Sequence, residues 1–92
     1  AIEANWVAWM RTQHIPDVMD TGCFLAAHFQ RLVDPAPEDG VSTFNIQYEC
    51  MSMEAYEVYA ELHAPRLQED HALRYKDRYV AFRTLLRRED SF

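Results

Sequence analysis

Residues 14–24, His14-Ile15-Pro16-Asp17-Val18-Met19-Asp20-Thr21-Gly22-Cys23-Phe24, decide how the chain is read. A Trp-rich segment lies before them and the first run with strand character lies after. Pro16 fixes its own φ, lacks an N–H and disfavours the α region at Ile15, so the stretch reads as a corner. Gly22 reaches positive φ at little cost, which ends the short helical turn and releases the strand. Upstream, Ile2, Trp6, Trp9 and Met10 recur at helical spacing, with Glu3, Asn5, Arg11 and Thr12 off that stripe. This predicts an amphipathic helix over residues 2–13.

Downstream, residues 24–33 read as a strand, with Leu25, Ala27, Phe29 and Val33 on one side and Phe24, Ala26, His28, Gln30 and Leu32 on the other. Residues 34–40 hold two prolines and end on Gly40, a composition that makes a loop and therefore a hairpin. Residues 41–50 alternate most cleanly: Phe44, Ile46, Tyr48 and Cys50 share one face, Thr43, Asn45, Gln47 and Glu49 the other. Ser52 is placed to cap a helix with Glu54 in its first turn. That helix runs through Tyr56, Tyr59, His63 and Leu67 towards Tyr75, and Pro65 inside it predicts a break around residues 62–64. Residues 79–86 read as the last strand, with Val80, Phe82 and Thr84 opposite Tyr79, Ala81, Arg83 and Leu85, and residues 87–92 as a polar tail.

Helix, strand, strand, helix, strand is an α+β order: a ferredoxin-like βαββαβ plait lacking its first strand, an antiparallel sheet with two helices on one face. The first strand of such a plait is central. The order therefore predicts a gap between residues 41–50 and 79–86, filled either by a strand ahead of Ala1 or by a neighbouring chain.

A chain of 92 residues makes one domain, residues 1–92. About half of it is apolar, with two Trp, five Tyr and five Phe, more large hydrophobic surface than a small lone domain hides. Burial against a twin subunit accounts for the surplus, so a homodimer is expected. The net charge of −6 argues against nucleic acid as a partner, because such affinity rests on clustered Lys and Arg. Arg83, Arg87 and Arg88 are the one basic cluster, followed at once by Glu89 and Asp90, and read as a solvated end. No apolar run is long enough to cross a bilayer and no leader precedes the first helix, so a cytoplasmic protein without membrane contact is expected. Cys23 and Cys50 are too few for a disulfide framework and lack zinc spacing; free thiols, no metal and no cofactor are expected.

The polar face carries the candidate site. Asn45, Gln47 and Glu49, with His28, Arg83 and Tyr79 alongside, place carboxylate, guanidinium, amide and imidazole chemistry in one small space. Such a set suits a small polar or anionic ligand, with Arg83 as a bidentate clamp and Gln47 as an adaptable partner. The structural reading of the same residues is an ion pair between Glu49 and Arg83 across the sheet, or a dimer contact. His14 and His63 each precede a proline-containing corner, where an imidazole serves as general base or ties a loop to a backbone carbonyl. His63 and His71 stand two turns apart, too far for an adjacent-turn metal pair, and Cys23 lacks a triad arrangement. Trp6 with Trp9, and Tyr56 with Tyr59, combine a core position with one suited to a subunit contact.

His14-Ile15-Pro16, Thr21-Gly22-Cys23-Phe24, Gln47-Tyr48, His63-Ala64-Pro65 and Phe82-Arg83-Thr84 together resemble a small bacterial family known as a domain of unknown function, related to the dimeric α/β-barrel group. The resemblance spans nearly the whole chain and implies a ferredoxin-like subunit pairing sheet to sheet with a twin. It also implies an opening strand of the Tyr-x-Val-x-Val kind, from which this sequence departs. It carries no chemistry of its own. The sequence is thus read as a non-catalytic small-ligand-binding or interaction domain acting as a homodimer. The alternative is a cofactor-free isomerase or monooxygenase with His14 or His63 as base and Arg83 stabilising an enolate-like anion.

Overall fold

A computed structural model describes residues 2–92. The first rod opens with helix α1 (Ile2–Trp9), widens into a π turn over Met10–His14 and closes with helix α2 (Ile15–Met19). The predicted corner at Pro16 is therefore corrected: Ile15 stays helical at φ −63° and ψ −45°, and Pro16 sits in the first turn of α2. A proline ring collides with the carbonyl four residues back and cannot donate to it. The wide turn removes the conflict, because its hydrogen bonds reach five residues back, as in Ile15 N–H to the Met10 carbonyl. The rod ends where expected. Gly22 takes φ +77° and its N–H bonds the Met19 carbonyl at 3.1 Å.

Strands β1 (Ala26–Arg31) and β2 (Phe44–Glu49) form a two-stranded antiparallel sheet, pairing Ala27 with Tyr48, Phe29 with Ile46 and Arg31 with Phe44. Both are shorter than the 24–33 and 41–50 spans read from the sequence, although the ladder gains Leu25 N–H to Glu49 C=O and Leu32 N–H to Thr43 C=O. Helix α3 (Met53–Leu62) follows. Ser52 caps it, its Oγ accepting from the Ala55 N–H at 3.1 Å. Ser52→Ala should cost about 1 kcal/mol, read as a lower urea midpoint at unchanged slope. His63 breaks the helix at φ −122°, and helix α4 (Ala64–Arg74) restarts with Pro65 in its first turn, as the sequence predicts.

Both rods cover the same face of the sheet. Trp9, Met10 and Tyr75 form the buried centre, with Trp6, Ile15, Phe29 and Ile46 packed against it. Phe44 lies 5.0 Å from Trp6 and 5.3 Å from Phe29 between ring centroids, while Phe24 bridges Tyr48 and Tyr59 at 5.0 and 4.7 Å. The alternation of Phe44, Ile46 and Tyr48 towards the helices thus holds.

The last predicted strand is not present. Residues 75–92 contain no regular element, and among the described residues no backbone hydrogen bond ties 79–86 to a neighbour. A strand exists by pairing, and here the arm is held by side chains alone: Arg83 to the Tyr56 hydroxyl, Arg88 to Glu49 and Tyr79 edge-on to His71. Val80, Phe82 and Leu86 remain 82, 93 and 85% exposed.

Candidate functional site

The sheet face turned away from the rods carries Ala26, His28 and Gln30 from β1 and Asn45, Gln47 and Glu49 from β2, brought together by the register His28 to Gln47 and Gln30 to Asn45. His28 Nε2 lies 3.4 Å from a Glu49 carboxylate oxygen, and Arg88 donates to the other at 2.6 Å. The Arg88 guanidinium, then His28, hold the Glu49 carboxyl below the usual carboxylate range. This corrects the ion-pair reading: the partner of Glu49 is Arg88, not Arg83, and Arg88 is not part of a free solvated end. Near the sheet end, Asn45 lines an open recess of about 620 Å³ with Arg31, Val33 and Asp34.

The remaining candidates lie elsewhere. Arg83 reaches the Tyr56 hydroxyl at 3.4 Å, and Tyr79 packs on His71, so neither joins His28, Gln47 and Glu49. His63 lines a smaller open recess of about 260 Å³ with Asp17, Asp20, Thr21 and Arg66. His14 lies between Trp9 and His71, tilted against the first and edge-on to the second, at 5.0 and 5.5 Å between centroids. No hydrogen bond or ion pair among the described residues links Arg83 to either histidine.

Sequence reasoning missed the pairing of His14 with His71. The π turn presents His14, and α4 presents His71 beside Trp6, Trp9, Tyr75 and Tyr79. His71 Nε2 accepts the Trp6 indole N–H at 2.9 Å, so that nitrogen carries no proton. His14 Nδ1 is buried without a hydrogen-bond partner. Burial lowers both imidazoles from their ordinary value; His71 lowers His14 further, while Asp70 and Asp17 oppose the shift at His14 and Asp70 opposes it at His71. Burial thus favours the neutral form of both rings. Spacing gave no sign of the pair, because the two rods that carry it meet only through the fold.

Cys23 and Cys50 are half-buried free thiols, and burial raises Cys50 with Cys23 adding to the shift. No three His, Cys, Asp or Glu side chains among the described residues are grouped to hold a metal, and none of their helices is long and apolar enough to cross a membrane.

The family model described as a domain of unknown function, DUF4286, matches residues 1–89. The chain belongs to this family. The motifs that carried the resemblance all fall within the DUF4286 match. Within the DUF4286 domain the Thr-Gly-Cys-Phe motif ends the first rod, and His-Ala-Pro makes the break between α3 and α4. No curated protein and no solved structure matches the chain.

Proposed function

We propose that the chain is a non-catalytic domain that binds a small polar or anionic molecule on its free sheet face and works as a homodimer. In this reading the subunit is a ferredoxin-like plait of the dimeric α/β-barrel type, two sheets facing one another in a cytoplasmic protein whose thiols stay reduced. The observation that carries it is the composition of the uncovered face: imidazole, three carboxamides and a carboxylate beside a guanidinium, with the helices on the opposite side. The Arg88 guanidinium offers a charge-assisted contact to an anion, and Asn45 and Gln47 offer donors and acceptors of either sense. With Arg83 on Tyr56 and His14 inside an aromatic cluster, the enzyme reading has no assembled base and anion stabiliser to support it.

Titration of citrate and inorganic phosphate into labelled protein, followed by amide chemical shifts, tests the reading. Saturable shifts at His28, Asn45 and Gln47, abolished in Gln47→Ala, are expected. No shift at those residues with either probe overturns it.

A further inference from the structure

We propose that residues 79–86 of one copy add as a strand to the open edge of β2 in a second copy, reciprocally, so that the dimer is held by exchanged arms. This rests on the homodimer reading and specifies how it is built. Three observations converge on it. The arm carries its apolar side chains in strand alternation, Val80 with Phe82 and Leu86, and leaves them in solvent without backbone partners. Among the described residues the sheet has two strands, so the edge of β2 that does not face β1 presents N–H and C=O groups that no described strand pairs. Eight extended residues span roughly 26 Å, enough to run the length of a six-residue strand.

Charge selects the occupant. Residues 78–88 contain Arg78, Arg83, Arg87 and Arg88 and no acid, whereas residues 1–77 hold thirteen Asp and Glu against five Lys and Arg. A basic arm fits an acidic body: within one chain Arg88 already reaches Glu49 at the end of β2, and exchange hands that pairing to the second copy. Arm against arm would instead set arginines opposite one another, a like-charge arrangement that costs in a ladder. Backbone pairing supplies affinity and the alternate side chains supply register, as in other strand additions. Reciprocity doubles the buried surface, towards the roughly 1,200–2,000 Å² of specific interfaces.

Sedimentation of the full chain at about 100 μM and at tenfold dilution, with amide hydrogen exchange, tests this. A dimer that dissociates on dilution and in high salt is expected, with protection of residues 44–49 and 79–86 lost together. Phe82→Glu and, separately, Arg87→Glu should each weaken dimerisation tenfold or more. Both side chains lie outside the core, so an unchanged circular dichroism spectrum is expected for each. A dimer indifferent to both substitutions overturns the exchanged arm while sparing the homodimer. A monomer at the highest concentration overturns both.

Discussion

Trp9→Ala should cost about 3–5 kcal/mol, the range for deleting a buried large aromatic, and a small domain has little more than that to lose. Trp9 is 7% exposed and lies where the two rods meet. Its ring contacts Tyr75 at 5.4 Å, His14 at 5.0 Å and His71 at 5.6 Å, and the Arg74 guanidinium sits 5.2 Å above it. Truncation leaves a cavity, removes the cation–π contact and frees α4 from the π turn. Urea unfolding followed by far-ultraviolet circular dichroism reads the loss directly. A midpoint equal to that of the unchanged protein would mean that the rods hold together without this ring.

Acidification should destabilise the same joint, starting as the pH falls through about 6.5. The sign follows from the direction of the shifts. His14 and His71 titrate lower in the folded chain than in the unfolded one, so above that pH both states are neutral and folding is unaffected. Below it the unfolded chain takes up protons that the folded chain resists, and stability declines until the folded imidazoles titrate as well. Protonation at His71 Nε2 also removes the acceptor of the Trp6 indole N–H. Thermal melts from pH 7.5 to 5.0 should show a falling midpoint accompanied by a change in Trp fluorescence. His71→Gln, which keeps an acceptor and cannot charge in this range, should flatten the dependence. Equal slopes in the two proteins would remove His71 from the explanation.

Local signals read well wherever a residue acts on its own backbone. Ser52 capped α3, Pro65 restarted α4, Gly22 ended the first rod, and the alternation at Phe44, Ile46 and Tyr48 found the buried side of the sheet. Pro16 misled because its demand has two solutions, a corner or a widened turn, and the packing of Trp9, Met10 and Ile15 into one hydrophobic cluster favours the continuous rod. The 79–86 segment misled differently. Its alternation describes what the side chains suit, while a ladder needs a neighbouring edge that no residue in the segment encodes.

The candidate site divides along the same line. His28, Asn45, Gln47 and Glu49 share a face because strand parity places them there, and parity is visible in the sequence. The guanidinium beside Glu49 comes from Arg88, across 39 positions, rather than from Arg83, and the imidazole partner of His14 comes from the second rod. Neither choice follows from any local period. Two arginines five apart on an irregular arm are equivalent until the arm has a path.

The widened turn ahead of Pro16 also sets an angular offset. Each residue of a helix advances the side-chain direction by about 100°, so a turn holding one residue more than the α pattern rotates everything before it relative to everything after. Trp6 and Trp9 lie on one side of that offset and Val18, 1% exposed, on the other. Trp6 packs on Phe29 and Phe44 while α2 lies beside β1 only because the extra residue is counted in. Removing one residue between Met10 and His14 would regularise the helix, yet swing the tryptophans a quarter-turn or more off the strands. The irregular segment is therefore the part of the rod least open to shortening.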